Sequence, residues 1–145
     1  MEKLRIHIER LRSSGLRPTK QRLALCKILF DRKGTFHFTI EQLKKVSEKK
    51  GKEKISLATL YNTVHAFKKK GYLKQIPLKG SQTFFDTNTT KHHHFYDEEL
   101  SKLIDIENEK ISFNNLPKAP NGKKIKELEI TIRVASNNQK QKNLV

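Results

Sequence analysis

The chain has 145 residues, of which 34% are hydrophobic, and its mean hydropathy is -0.74. This length allows one domain or two small ones, with apolar material for only a modest core. The net charge of +16 and the pI near 10.0 favour a polyanionic partner, either nucleic acid or an anionic membrane surface. The chain has no run of 18 apolar residues and no secretory signal, so a cytoplasmic protein that does not span a membrane is expected.

The positive charge is concentrated in one part of the chain. Residues 1–91 contain 22 Lys and Arg against 7 Asp and Glu, a net charge of +15, whereas residues 92–145 contain 9 against 8, a net charge of +1. The polyanion is therefore expected to bind the first part, and the second part is expected to have another task.

Two helices are predicted first. Residues 2–13 form a short basic helix that ends at Ser13-Ser14-Gly15, and His7 within it is interpreted as a surface residue. A second helix starts at residues 16–19 with Pro18 in its first turn. Cys26 is the only cysteine, which excludes an internal disulfide, and it is interpreted as a small core residue. The apolar face of the second helix consists of Leu23, Leu25, Cys26, Leu29 and Phe30.

A helix-turn-helix is predicted next. Residues 31–38 form a loop that contains His37, and the capping box over residues 39–42 begins a third helix that ends near Lys50. Residues 51–55 form a polar turn, and a fourth helix follows over residues 56–71. This order of helix, turn and helix indicates a DNA-binding domain.

The fourth helix is the element around which the rest of the chain is organised. Ser56 is its predicted N-cap, and Gly71 is its left-handed C-cap. Its predicted buried stripe consists of Leu57, Leu60, Val64 and Phe67. The opposite face contains no acid and fits the major groove, although an ordinary surface helix is the alternative; it carries Thr59, Tyr61, Asn62, Thr63 and His65.

A β-hairpin is predicted directly after this helix. Residues 73–78 and 83–85 alternate as strands, and residues 79–81 form the turn between them. A hairpin in this position is typical of a wing, where Lys79 would contact a phosphate or the minor groove. The alternative is a hairpin that only packs against the helices.

The second part of the chain is predicted to be a small domain. The DNA-binding domain spans residues 1–86, a hinge 87–91, a dimerisation and ligand-sensing domain 92–135, and a disordered tail 136–145. Strands are predicted over residues 92–96, 102–106 and 128–134, with a loop over residues 114–122. Three strands bury little surface alone, so this domain is expected to pair with a copy of itself.

Three consecutive histidines begin this domain. In a strand, His92 and His94 share one face and His93 points away. Zinc, iron(II) or manganese bind histidine together with carboxylates, and Asp86, Asp105 and His37 could complete a site that straddles both domains. Such a metal would fix the angle between the domains and so change the affinity for DNA. The alternatives are haem bound by His92, His93 and His94, or a histidine-rich strand without a ligand.

The chain resembles the ferric uptake regulator family over roughly residues 10–134. The resemblance lies in residues 15–22 (GLRPTKQR), 56–63 (SLATLYNT) and 92–95 (HHHF), and within the family the chain looks most similar to the iron response regulators (Irr) of alphaproteobacteria. It implies an α/β (α+β) protein with a winged helix-turn-helix domain joined to a small dimerisation domain. The residues expected to hold DNA are Arg17, Ser56, Thr59, Tyr61, Asn62 and Lys79, and the resemblance itself supports Arg17 and the residues of the fourth helix around Tyr61. Those implied to hold a divalent metal (zinc, manganese or iron) are His37, Asp86, His92, His94 and Asp105.

The chain also departs from this family. Asp97 and Leu100 occupy positions where many members carry Cys-x-x-Cys pairs for a structural zinc, so that zinc site is absent. A second metal site of the family usually takes a histidine near the C-terminus, and no histidine follows His94. The N-terminal Cys-Pro motif through which some Irr-like proteins respond to haem is also missing.

The predicted function is regulation rather than catalysis. The chain is expected to be a homodimeric regulator, mainly a repressor, of iron and haem metabolism that binds operator DNA under the control of haem or a divalent metal, with a haem-delivering protein as a further partner. The first alternative is a metal-dependent repressor of uptake genes without haem sensing. A sequence-independent architectural DNA-binding protein and a metallohydrolase are further alternatives, and the latter lacks a carboxylate placed as a general base.

Overall fold

The computed structural model describes residues 1–80 and 82–137. These residues form two compact units, one spanning Met1–Thr89 and one beginning at Thr90. The first unit contains four helices and a small sheet, and the second contains a sheet of its own, which gives the α+β fold expected from the sequence. None of the helices in the described parts of the chain has the length and apolar character that crossing a bilayer requires.

The helices of the first unit enclose its core. They are α1 (Glu2–Ser13), α2 (Lys20–Phe30), α3 (Ile40–Lys50) and α4 (Leu57–Lys70). Each presents apolar side chains inward, because burying one apolar stripe is what stabilises a short helix in a small domain. The side chains of this core that are at most 1% exposed include Leu11, Leu25, Cys26, Leu29, Phe38, Leu43, Ile55, Leu60, Val64, Phe67 and Phe85.

The start of α2 differs from the prediction. Pro18 precedes the helix, whose N-cap is Thr19, and the hydroxyl of Thr19 accepts a hydrogen bond from the backbone N–H of Arg22 (3.3 Å). A threonine oxygen can satisfy a free amide of the first turn, which proline cannot do, so the helix begins one residue after Thr19. Cys26 is fully buried, as predicted.

The prediction for His7 was wrong. Its side chain is buried in the described structure, and its Nε2 lies 2.9 Å from Oδ1 of Asp31, just beyond α2. Arg10 places a guanidinium nitrogen 3.3 Å from Nδ1 of the same ring and covers the Phe30 ring at 3.8 Å. A buried imidazole is stabilised by polar partners on both nitrogens, and these partners connect α1 to the end of α2.

The caps of α3 and α4 agree with the prediction. Thr39 and Gln42 form a complete capping box, Ser56 is the N-cap of α4, and Gly71 ends that helix with a φ of 95°. Two side chains of α4 differ from their predicted positions. Leu57 is 50% exposed, whereas Thr63 is fully buried.

The wing is a three-stranded antiparallel sheet. It consists of β1 (His37–Phe38), β2 (Lys74–Ile76) and β3 (Phe84–Asp86), in the order β1-β3-β2. The hairpin of β2 and β3 was predicted, but His37 was assigned to a loop and Asp86 to the end of its domain. The structure places both residues in strands, with His37 opposite Asp86. Ser81, in the predicted turn, lies outside the described residues.

The second unit is built on a mixed sheet. Its strands are β4 (His92–Asp97), β5 (Lys102–Glu107) and β6 (Thr131–Val134), in the order β5-β4-β6. β4 is antiparallel to β5 and parallel to β6. The third strand starts at Thr131 and not at residue 128, and a short 3-10 helix (Asn108–Lys110) was not predicted. Most of the predicted tail, residues 138–145, lies outside the described residues.

Candidate DNA-binding surface and metal ligands

The exposed face of α4 contains groups that can contact base edges. Tyr61 is 45% exposed, and Asn62 and His65 are also exposed. The helix contains no Asp or Glu, and three lysines follow one another in its last turn. A helix with neutral donors and acceptors along its face and positive charge at its end can approach the major groove without repelling phosphates.

Thr63 was predicted on this face and lies in the core instead. Its side-chain oxygen has no hydrogen-bond partner in the described structure. It is the residue between Asn62 and Val64, so a small rotation of the helix relative to the predicted stripe places it inside. Thr63 is therefore not available to DNA.

Ser56 and Thr59 at the start of α4 are engaged with each other. The hydroxyl of Ser56 accepts from the backbone N–H of Thr59 (3.2 Å) and donates to its Oγ1 (2.8 Å). The backbone N–H of Ser56 donates to Oε1 of Gln21 in α2 (3.1 Å). Sequence reasoning missed Gln21, because no local pattern relates a polar residue of α2 to the cap of a later helix.

Arg17 and Lys79 are the two basic residues predicted to touch DNA outside α4. Both side chains are exposed. The backbone carbonyl of Arg17 accepts from the side chain of Arg22 (3.1 Å), which brings two guanidinium-bearing residues to the start of α2. Lys79 follows β2 in the loop that leads to β3. Both lysine and arginine are suited to phosphate contacts from such exposed positions.

The first unit brings two of the predicted metal ligands together. His37 and Asp86 are directly opposed in the β1–β3 ladder, and Nε2 of His37 lies 3.2 Å from Oδ2 of Asp86. The other carboxylate oxygen of Asp86 accepts from the backbone N–H of Asn88 (2.8 Å). Asp86 is completely buried, so its charge needs such compensation.

The second unit brings the other three together. His94 is directly opposed to Asp105 in the β4–β5 ladder, and His92 lies two residues earlier on the same face. Nε2 of His92 and Nε2 of His94 lie 3.3 Å and 3.2 Å from the same Oδ1 of Asp105. The alternation predicted for the histidines is therefore present, and the ligand atoms of these three residues lie within 4.8 Å of one another.

The orientation of the His92 ring is set by a neighbouring carbonyl. Its Nδ1 lies 2.7 Å from the backbone oxygen of Thr90. A carbonyl oxygen can only accept, so Nδ1 carries the proton, and in the neutral ring Nε2 presents a lone pair to the carboxylate of Asp105. A divalent cation placed between these two atoms could bond to both of them. Histidine ligands of metals are commonly oriented in this way.

Three of the separations between ligand atoms match those found around a small divalent ion. Ligands bonded to zinc at about 2.0–2.1 Å in a tetrahedral arrangement lie about 3.3–3.4 Å from one another. The pairs that Asp105 makes with His92 and with His94 are 3.3 Å and 3.2 Å, and His37 to Asp86 is 3.2 Å. Imidazole nitrogens with carboxylate oxygens form the donor set that zinc, iron(II) and manganese accept.

His93 has a different environment from its two neighbours. Its Nδ1 accepts a hydrogen bond from the backbone N–H of Ile130 (3.1 Å), and the backbone N–H of His94 donates to the carbonyl of Ile130 (3.1 Å). His93 therefore attaches the segment before β6 to β4, and the structure does not bring its ring to Asp105.

The chain is similar to known proteins over most of its length. The model of the ferric uptake regulator family matches residues 13–133. The peroxide-responsive repressor PerR of Staphylococcus saprophyticus is 33% identical over 99 residues, which cover 68% of this chain and 65% of that protein. The match thus spans somewhat less than two thirds of that relative. The resemblance to Irr stays a prediction.

Solved structures share the fold. The Vibrio cholerae ferric uptake regulator has a TM-score of 0.65 and 18% identity, covering 89% of this chain and 98% of that one. The Pseudomonas aeruginosa ferric uptake regulator with manganese has a TM-score of 0.63 and 17% identity, covering 90% and 98%. Together with the family match over residues 13–133, these similarities lead to one conclusion: the chain belongs to the ferric uptake regulator family.

Proposed function

We propose that this protein is a DNA-binding transcriptional regulator whose affinity for its operator depends on a bound divalent metal ion. The ligands would be His37, Asp86, His92, His94 and Asp105. The observation that carries this proposal is the position of the His92 ring, whose Nε2 lies 3.3 Å from Oδ1 of Asp105 while its Nδ1 lies 2.7 Å from the carbonyl oxygen of Thr90, as metal-binding histidines are commonly held. The relatives support this class, since one is a repressor and one structure of the fold was solved with manganese.

The DNA-binding surface would be the exposed face of α4, with support from α2 and the wing. Residues 1–91 hold a net charge of +15, which supplies the sequence-independent attraction to phosphates. Base contacts would come from Tyr61 and Asn62, while Arg17 and Lys79 would hold the backbone. Ser56 and Thr59 would contribute through the capping bonds that fix the start of the helix.

The metal would act on DNA through the wing sheet. His37 and Asp86 lie in β1 and β3, and Asp86 is adjacent to Phe85, whose ring contacts His65 of α4 (6.1 Å between centroids). An ion bound to these ligands would hold the two strands in one arrangement and thereby fix the sheet against the recognition helix. By linkage, DNA would raise the affinity for the metal as much as the metal raises that for DNA.

The second unit would form a homodimer. Its described residues expose several large apolar side chains, and its part of the chain, residues 92–145, has a net charge of only +1, so self-association meets little repulsion. The exposed apolar residues are Leu100, Ile104, Phe113, Leu116, Ile125 and Ile132. Sedimentation should give twice the 16.9 kDa of one chain, and Ile104→Asp should shift the protein towards the monomer.

The proposal is tested by measuring the affinity for DNA at controlled concentrations of metal ion. A consensus sequence is first selected from a pool of random duplexes, and affinity for it is then measured after chelation and after adding manganese, zinc or iron(II). We expect metal to tighten binding at least about tenfold, within the usual coupling range. We also expect discrimination of about 10³ or more over random DNA.

Two outcomes would contradict the proposal. Equal affinity for all duplexes would support the alternative of an architectural DNA-binding protein. An affinity for the consensus that is the same with and without metal would show that the metal does not control DNA binding. The variants His37→Ala and His94→Ala then test whether these two residues bind the metal. If one ion is shared, both variants should weaken the same binding event.

Haem as the signal remains a separate prediction. The contacts of the histidine triplet favour the metal, since His92 and His94 face Asp105 and His93 holds the backbone of Ile130. A haem iron would have to displace one of these contacts. Loss of operator binding on addition of haem to the metal-loaded protein would support haem sensing.

A further inference from the structure

The exposed ring of Tyr61 is connected to the buried core by a series of aromatic contacts. Tyr61 stacks with His65 at 6.1 Å between ring centroids and 17° between planes. His65 meets Phe85 of β3 edge-on, at 6.1 Å and 86°, and Phe85 stacks with Phe38 of β1 at 5.8 Å. Phe38 and Phe85 are at most 1% exposed, so the last two rings are fixed by the core.

Helix geometry explains the first contact. Residues four apart lie on the same face, and a helical side chain leans back over the preceding turn. The His65 ring is therefore directed towards the turn that carries Tyr61. The next turn is also attached to the wing, because the ammonium of Lys68 donates a hydrogen bond to the side chain of Gln75 in β2.

We propose that His65 is a specificity-determining positioning residue, which holds the Tyr61 ring in its DNA-reading orientation by bracing it against the wing sheet. This inference rests on the proposed binding of DNA by α4. An unbraced tyrosine on an exposed helix face would exchange rotamers and lose that freedom on binding, at a cost in affinity. His65 removes this cost before DNA arrives, and the gain in affinity appears only on sequences where Tyr61 makes its base contact.

The test compares ring and non-ring substitutions at this position. The duplex selected with the wild-type protein is measured together with single-base variants of it. His65→Ala and His65→Gln should lower discrimination at the bases read by Tyr61 by about 2- to 10-fold, the range an aromatic pair supplies. His65→Phe should retain discrimination, because it keeps a ring without the imidazole nitrogens. A direct contact from imidazole to DNA predicts instead that His65→Phe loses as much as His65→Ala.

A double variant isolates the route through Tyr61. If His65 acts only by placing that ring, then Tyr61→Ala and the combination Tyr61→Ala/His65→Ala should show the same discrimination. Lys69→Ala on the same helix is the matched control, which should weaken all duplexes alike. Circular dichroism melting checks that each variant is folded.

The outcomes separate this inference from the function on which it rests. Failure to select any consensus would overturn the proposed function. A consensus that is read equally well by the wild type, His65→Ala and His65→Gln would overturn the role of His65 alone.

Discussion

Asp105 stands directly opposite His94 in the antiparallel ladder of β4 and β5, and its Oδ1 lies 3.2 Å from Nε2 of His94. Opposed residues of such a ladder carry their side chains on the same side of the sheet. The arrangement of the three proposed ligand side chains in this unit therefore depends on strand register. A slip of one residue would turn His92 and His94 away from the carboxylate.

The carboxylate of Asp105 should be essential for metal binding. Asp105→Asn removes the negative charge and a strong metal-binding oxygen, so we expect the affinity for zinc or manganese to fall at least about 10²-fold, more than losing a residue that only orients a metal ligand usually costs. Calorimetric titration in the presence of a competing chelator measures the change. Glu109→Gln, which removes one exposed acid from the same unit, is the control and should bind metal like the wild type. Equal affinities in the two variants would show that Asp105 is not a ligand.

The thiol of Cys26 should affect stability only in alkali. Burial raises its pKa to about 12 from an ordinary value of 9.0, against the lowering effect of Arg10. Above pH 9 the unfolded chain loses this proton while the folded protein keeps it, so the free energy of unfolding falls by about 1.4 kcal/mol per pH unit up to about pH 12. Below pH 9 both states keep the proton and the contribution is constant.

Lysines titrate in the same range, so this contribution is measured by difference. Urea unfolding of the wild type and of Cys26→Ala at pH 8, 9 and 10 should give stabilities that converge as pH rises. Parallel curves would mean that the folded thiol ionises normally.

Gly71 should stabilise the C-terminal end of α4. Its φ of 95° lies where residues with a Cβ are strained, although a Cβ added there would meet nothing within 4 Å. Gly71→Ala should therefore destabilise the protein by about 1–2 kcal/mol through backbone strain alone. Gly71→Asn should lose less, because asparagine tolerates this conformation better. The prediction fails if urea unfolding gives both variants the stability of the wild type.

The side chain of Gln21 should hold the backbone amide of Ser56, the N-cap of α4. Gln21→Ala removes the acceptor for the backbone N–H of Ser56, and we expect a loss of about 0.5–1 kcal/mol. Hydrogen exchange of the Ser56 amide should accelerate in this variant. Gln21→Glu keeps an oxygen at the same position and should preserve both stability and protection. Fast exchange in both variants would mean that the hydrogen bond contributes nothing.

Local patterns in the sequence were sufficient to predict features that depend only on residues close together in the sequence. Both caps of α4 were predicted from Ser56 and Gly71, since the groups they satisfy lie within one turn. The position of His92 and His94 on the same face of β4 was also predicted, because the alternation of side chains along a strand is a local property. The five metal ligands were proposed from strand alternation and ligand chemistry and matched the pattern that the family resemblance implies, and their joint action remains a prediction.

Residues with distant partners could not be predicted in the same way. His7 was placed on the surface because its partner, Asp31, lies 24 residues later in the sequence, just beyond the end of α2, and no residue near His7 indicates this contact. The same reason hid the bond from Ser56 to Gln21 and the pairing of β1 with β3. On α4, Leu57 was predicted to be buried and Thr63 to be exposed, and the structure has the reverse. Which face is buried depends on how the helix is rotated about its axis against α3 and the sheet, and the spacing of apolar residues in the sequence defines that rotation only to within a fraction of a turn.

The parallel pairing of β4 with β6 has a consequence for synthesis. His94 pairs with Thr131, so the central strand of the second sheet is paired on both sides only after a segment much later in the chain has been made, whereas every element of the first unit precedes Thr90. Domains generally fold in order as the ribosome releases them, and strands joined over long separations close late. A nascent chain can therefore complete its helix-turn-helix and wing before the sheet that carries His92, His94 and Asp105 is fully assembled.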